Sequence, residues 1–233
     1  MKQMFSVSLL SMGMSLGASA AIIYSQTFDS GFQNGGVIPD GSLNGWSDTR
    51  IVTDADLTPI TDLQVTLNIS GGYNGDLYAY LTHGNGFSVL LNRAGVGQTQ
   101  GDAFGYADSG MTITLATSGV YENIHWYGGK GMPTGTYLPD GRAIDPLSPP
   151  AAFDTASTTA NFDSMVGLDP NGSWTLFVGD VSSGGGQSMV SSWGLQLVAV
   201  PEPSNTALVF GLGVLGVRVG WRICSWARRA FRS

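Results

Sequence analysis

The chain has 233 residues, with 17 Asp and Glu against 10 Lys and Arg, a net charge of −7, and a single cysteine. An acidic chain lacks the basic footprint that neutralises phosphates, which argues against nucleic-acid binding, and a lone Cys224 leaves no disulfide framework within the chain. The acidity is concentrated in the middle: between Ala21 and Val200 only Arg50, Arg93, Lys130 and Arg142 stand against sixteen acids, a net −12, which suits bound cations and ordinary solubility equally.

Residues 1–20 carry one early positive charge at Lys2, an apolar and small-residue run from Phe5 to Gly17, and Ala18-Ser19-Ala20. That is a secretory signal pattern, read as a signal helix cleaved after Ala20, with Ala18 and Ala20 as the small cleavage-site residues and the Sec export machinery as the partner. Residues 21–36 follow as an edge strand and linker, with IIYSQTF at Ile22 to Phe28 as the strand and a turn-rich stretch from Gly31 to Gly45. Leu63, Val65, Leu67 and Ile69 alternate with Gln64, Thr66 and Asn68, the period of a half-buried strand. Leu77 to Leu81 and Phe87 to Leu91 read as two strands joined by a polar turn at Thr82-His83-Gly84-Asn85-Gly86. Met111, Ile113 and Leu115 mark another strand, and Ile124 with Trp126 extends an alternation over Val120 to Tyr127. From Gly128 to Ala160 the composition predicts long loops. Phe162, Met165, Val166 and Leu168 lead into two final arms, Trp174-Leu176-Val178 and Trp193-Leu195-Leu197, which the pattern predicts as a hairpin with a long Gly-rich connection. Short strands, polar turns and no βαβ rhythm predict an all-β antiparallel sandwich.

The end of the chain reads differently. Val200-Pro201-Glu202-Pro203-Ser204 precedes an apolar segment from Ala207 to Val217 and then Arg218, Arg222, Arg228, Arg229 and Arg232. This predicts a hydrophobic tail helix over 200–233 whose basic end stays cytoplasmic. Its uninterrupted apolar run falls short of the roughly 20 residues that span a bilayer comfortably. The segment resembles the PEP-CTERM sorting signal of Gram-negative bacteria. The resemblance implies that Pro201, Glu202 and Pro203 are read by a membrane enzyme of the exosortase type, that membrane insertion through the tail is transient, and that the body reaches the cell surface or the extracellular space. A plain C-terminal anchor is the alternative.

The middle of the chain also carries a resemblance. Asn171 to Val198 holds a Gly-x-Trp-x-Leu-x-Val-x-Asp strand, a Gly-rich loop and a Ser-Trp-x-Leu strand. Ile60 to Leu91 holds a strand, a loop ending Gly75-Asp76-Leu77, a second strand and a polar turn. With Ile38-Pro39-Asp40 and Gly101-Asp102-Ala103-Phe104 these are similar to the P domain, or P/Homo B domain, that accompanies subtilisin-like proteases such as kexin and furin. Tyr121 to Tyr137 departs from the family's pattern. The resemblance implies a jelly-roll sandwich, galactose-binding-like, over 37–198. It also implies an accessory module linked to serine endopeptidase activity and proteolysis that carries no catalytic domain of its own.

Candidate chemistry is sparse. His83-Gly84, Asp108-Ser109-Gly110 and Gly186-Gln187-Ser188-Met189 look like fragments of subtilisin motifs, but in the order histidine, aspartate, serine and within strands and loops that the sandwich claims. Two distant histidines, His83 and His125, offer too few favoured zinc ligands, and Glu122, the only glutamate of the body, has no marked carboxylate partner. Asp76, Asp102, Asp108 and Asp180 sit at strand ends or in Gly-bearing loops, where oxygen ligands can converge on a structural calcium; turn capping explains the same placement. Trp126 and Tyr127 head a set of aromatics, with Trp46, Tyr73, Tyr78, Tyr80 and Tyr137, that suits stacking on an extracellular polysaccharide or packing under a loop. The resulting expectation is a non-catalytic secreted module. A glycan-binding module is the alternative, and a hydrolase with unrecognised residues stands behind both.

Overall fold

The computed structural model describes residues 22–54 and 59–199. The signal segment with Ala18 and Ala20, and the tail with Pro201, Glu202 and Pro203, lie outside the described residues.

Among the described residues, nine strands form two sheets. The five-stranded sheet has the order β1-β9-β3-β6-β7, made of β1 (Ile22–Phe28), β9 (Met189–Ala199), β3 (Ile60–Ser70), β6 (Met111–Ala116) and β7 (Thr134–Tyr137). The four-stranded sheet has the order β2-β8-β4-β5, made of β2 (Ser42–Val52), β8 (Gly172–Asp180), β4 (Leu77–His83) and β5 (Gly86–Asn92). Every pairing is antiparallel except that of β6 with β7. One short helix, α1 (Pro150–Thr155), lies in the long segment between β7 and β8. None of the helices among the described residues is long and apolar enough to cross a membrane.

The period-two pattern of β3 explains its position. Leu63, Val65, Leu67 and Ile69 are buried and point to the core, while a bulge between Ile60 and Asp62 lets Ile60, three residues before Leu63, face the same way. Leu81, Trp174, Leu176 and Val178 line the core on the four-stranded wall; Trp193, Leu195 and Leu197 join β3 on the other. Full burial of each aliphatic chain contributes about 1.5–3 kcal/mol before entropy is counted.

The two tryptophan-bearing arms are not a hairpin. β8 lies between β2 and β4, and β9 lies between β1 and β3, so the chain from Val181 to Ser188 crosses from one sheet to the other. Both indoles are fully buried, and placing them on opposite walls fills the core from both sides. A hairpin would have crowded them onto one face of one sheet.

Other departures have local causes. β2 escapes the hydrophobic pattern because two of its inward positions are Asp48 and Arg50, bonded to each other at 2.6 Å, with Asp48 also accepting from the Trp193 indole at 2.7 Å. Residues 120–127 form no strand. Asn123 caps a single 3₁₀ turn over Ile124–Trp126 by accepting from the His125 amide. β7 and α1 fall within the stretch expected to be loop. The turn between β4 and β5 is the two-residue kind, with Gly84 at φ +56° as its first central residue.

Candidate functional site

The polar side chains gather at two places. One is beside β5, where the loops from Arg93 to Val96, Asn123 to Trp126 and Pro139 to Arg142 meet α1. His125 and Asp140 are fully buried there, with His125 Nδ1 2.6 Å from Asp140 Oδ2 and His125 Nε2 3.0 Å from the Val96 carbonyl oxygen. Both neighbours are oxygen atoms, so the ring is held from both sides. Asp140 also accepts from Arg142 Nη1 at 3.0 Å and from the Asn92 amide at 3.2 Å, and Arg142 Nε donates to the Phe153 carbonyl at 3.1 Å. Asn123 Nδ2 donates to the carbonyls of Pro139 and Asp140. The result is a cross-linked polar clamp: one carboxylate holds a histidine and an arginine from two other positions of the loops.

Trp126 and Tyr127 belong to the same packing. Trp126 is half-buried, with the Arg142 guanidinium 5.5 Å from its ring centre and His125 against it edge-on at 4.4 Å. Tyr127 packs edge-on against Tyr106 at 4.7 Å, accepts from Asn74 Nδ2 at 3.1 Å and donates to Asp108 Oδ2 at 3.4 Å. Burial pushes its phenol well above the usual range, partly offset by the Asn74 bond.

The second place is the crossing from β8 to β9. Asp180 is fully buried; its Oδ1 accepts the Ser182 amide at 3.4 Å, and its Oδ2 is buried without a hydrogen-bond partner. Desolvation pushes the Asp180 carboxyl up to about 6, with the Ser182 bond opposing and the nearby Asp76 and Asp40 charges adding. Burial also raises Asp76, while the Arg93 guanidinium, 3.9 Å away, pulls it back. Asp40 accepts the Gly184 amide at 3.1 Å and so ties the crossing to the start of β2.

Of the four aspartates considered for calcium, Asp76 and Asp180 therefore meet, joined by Asp40. Asp102 instead caps its own turn by accepting from the Phe104 and Gly105 amides, each at 2.7 Å, and Asp108 accepts the Gly131 amide at 2.7 Å. No group of three or more His, Cys, Asp or Glu among the described residues is arranged to hold a metal ion.

The histidine of the subtilisin-like fragments is apart from the serine. His83 closes β4 at the end opposite Leu77, stacked on Trp174 with ring centres 3.9 Å apart, and its ring nitrogens lie 3.0 and 2.6 Å from the carbonyls of Ser173 and Asp169. The Ser188 hydroxyl is buried against Gly72, ahead of the other end of the strand, so the two are separated by the ~20 Å of a seven-residue strand. The remaining aromatics are spent on packing. Trp46 is buried and its indole donates to the Gln33 carbonyl at 3.0 Å. Tyr78 and Tyr80 face outward from β4, and Tyr80 and Phe177 stack on each other at 4.8 Å and 14°, which covers one flat face of each. Tyr137 donates to the Thr134 carbonyl, and Tyr73 lies against Gly185.

Sequence reasoning passed over Asp40, Asp140 and Arg142. Their partners are brought in by turns of the chain, and the short run Asp140-Gly141-Arg142 inside a Gly- and Pro-rich stretch looks like any solvated turn. The one available signal was an arginine in a body with only four basic residues.

No protein-family model matches the chain, and no curated protein sequence does. Among solved structures, the chain is similar to a chain of the complex between Aeromonas sobria serine protease and its chaperone, at 13% identity and a TM-score of 0.44, covering 78% of this chain and 27% of that one. It is similar to Aeromonas sobria serine protease alone at 13% identity and a TM-score of 0.43, covering 78% and 28%. The chain thus spans less than a third of either.

Proposed function

We propose that this protein is a non-catalytic, exported β-sandwich module of jelly-roll type, similar to the P domain, delivered to the cell surface or extracellular matrix by a tail that enters the membrane and is then removed. One observation carries the non-catalytic part. Both histidines and two of the aspartates are committed to structural bonds: His83 lies between two carbonyls, His125 between Asp140 and a carbonyl, Asp102 caps its own turn, and Asp108 holds the Gly131 amide. Strand order supports the jelly-roll reading. Eight strands wound as two Greek keys give β1-β9-β3-β6 facing β2-β8-β4-β5, with β7 added at one edge. That winding needs its last two strands in different sheets, so the hairpin and the jelly roll were mutually exclusive expectations. The resemblance to the P domain therefore loses its closing hairpin and keeps only the remaining strand motifs, with this winding beside them.

The export part rests on the sequence at the two ends. Pro201, Glu202 and Pro203 form the processing site, and the terminal arginines hold the orientation of the tail. Two experiments test the proposal. In an exosortase-bearing host, Glu202→Ala retains the tail and accumulates in the membrane fraction, whereas normal trimming and release of that variant overturns the sorting claim. The full-length chain releases no product from casein or glycan panels; turnover that disappears in Ser188→Ala or Asp180→Asn overturns the non-catalytic claim. A sugar platform at Trp126 and Tyr127 is disfavoured because Arg142, His125 and Tyr106 already cover parts of those rings.

A further inference from the structure

An open sheet edge is a row of unpaired backbone donors and acceptors, and soluble proteins block such rows with charge, bulges, brevity or a covering segment. Three of the four edges here are blocked. Along β5, the Val89 amide donates to the Ala160 carbonyl at 2.8 Å, and the Asp140 and Gly141 amides donate to the carbonyls of Leu90 and Val89, so two passing segments cover it. β7 has four residues, with Gly135 at φ +99° among them. β2 has a register break between Ser42 and Trp46 and carries the charged pair Asp48 and Arg50 toward the core, the inward-pointing charge that spoils an edge.

β1 has none of these devices. Its seven residues, IIYSQTF, contain no charge, proline or glycine. Its register with β9 runs unbroken from Ile22 opposite Ala199 to Phe28 opposite Trp193, so the strand is straight enough to template another. On its other side it has no strand partner among the described residues. Tyr24 and Phe28 pack toward the core; Ser25 and Thr27 are exposed, and Ile23 is 60% exposed. β-branched and aromatic residues of this kind favour strand pairing.

We propose that β1 pairs antiparallel with β1 of a second copy of this chain about a two-fold axis at Ser25, joining the two five-stranded sheets into one continuous sheet. The occupant follows from symmetry and from the other edges. An antiparallel pair of identical strands satisfies both rows of backbone groups at once and is self-complementary. In this register Ile23 lies across from Thr27 and Tyr24 across from Gln26, which places β-branched side chains together and no like charges face to face. Among the described residues each copy has one open edge, so the assembly closes at two and does not grow. The inference goes beyond the functional reading and does not depend on removal of the tail.

The test uses the full-length chain in a non-ionic detergent. Light scattering after size exclusion gives twice the chain mass, and Ile23→Lys, placed at an exposed position, halves it without changing the far-ultraviolet circular dichroism; Thr27→Lys does the same. In a Cys224→Ser background, Ser25→Cys forms a disulfide-linked dimer under mild oxidation because a two-fold pair opposes that residue to itself, while Thr49→Cys on β2 does not. A monomeric chain overturns the proposal. So does a dimer that survives both lysine variants, or one that links through position 49 and not 25.

Discussion

The strand body and the loops beside β5 are held together by different forces. In the body, buried side chains from two walls fill one core, and almost any apolar residue of the right size would serve. In the loops, His125, Asp140, Arg142 and Asn123 hold three chain segments through one ion pair and a few hydrogen bonds, each of them specific in geometry. The body is cooperative, so damage anywhere spreads. The loop clamp is a small network in which one carboxylate holds both a histidine and an arginine, so damage there is large at one residue and slight at its neighbours.

The largest expected effect is in the body. Leu67 is fully buried in the central part of β3, and Leu67→Asp places an unpaired carboxylate among aliphatic chains at a cost of about 5 kcal/mol or more. A domain of this size has little more stability than that to lose. Thermal melting followed by circular dichroism is expected to show no cooperative transition. A folded Leu67→Asp variant would mean that the two sheets are not closed over a common core.

Next comes the clamp. Asp140→Ala leaves the Arg142 guanidinium and the His125 ring without their shared acceptor in a buried place, and removal of one partner from such a group costs about 3–5 kcal/mol. Unlike the first change, it should leave the strands paired. Limited proteolysis is expected to cut within residues 93–142 while the circular dichroism of the sheets persists below a lowered melting temperature. Uniform loss of both would merge the two regions into one cooperative unit.

The same contrast decides what could be read from the sequence. Leu63, Val65, Leu67 and Ile69 declared themselves because a strand with one buried face repeats every two residues, and both tryptophan arms did so for the same reason. The pattern says which face is buried and nothing about which sheet a strand joins, so β8 and β9 were assigned to one hairpin although they stand on opposite walls. β2 was invisible because Asp48 and Arg50 occupy two of its inward positions. The clamp was invisible because its members lie as much as 50 residues apart, as with Asn92 and the carbonyl of Arg142, and no local period connects them. The aspartates were found as residue types but not as groups: Asp102 caps its own turn, Asp108 holds the distant Gly131 amide, and Asp40, which does join Asp76 and Asp180, was read only as part of an opening motif.

A third change should stabilise the protein. Burial raises the Asp180 carboxyl to about 6, against about 4 for an unfolded chain. The folded state therefore holds the proton more tightly, and stability falls as pH rises from about 4 to about 6, with the full penalty present at pH 7. Two units correspond to about 2–3 kcal/mol. Asp180→Asn keeps an oxygen for the Ser182 amide and removes the buried charge. Melting at pH 7 is expected to rise by up to that amount, while at pH 4 variant and parent coincide. An equal difference at both pH values would show that the effect is packing and not the buried charge.

The smallest change separates neutral bonds from charged ones within the loops. Tyr127→Phe removes a hydroxyl that accepts from Asn74 and donates to Asp108. Asn74 keeps its bond to the Gly110 carbonyl at 3.0 Å, and Asp108 keeps the Gly131 amide at 2.7 Å, so no partner is stranded. A hydrogen bond lost under those terms costs about 1 kcal/mol, a fall of roughly 2–4 °C in melting temperature for a body of this size. The ring stays in place against Tyr106, so proteolysis of the loops should be unchanged. If Tyr127→Phe instead opened the loops as widely as Asp140→Ala, the loops would owe their order to many small neutral bonds, and Asp140 would be one contributor among equals and not the residue on which the clamp closes.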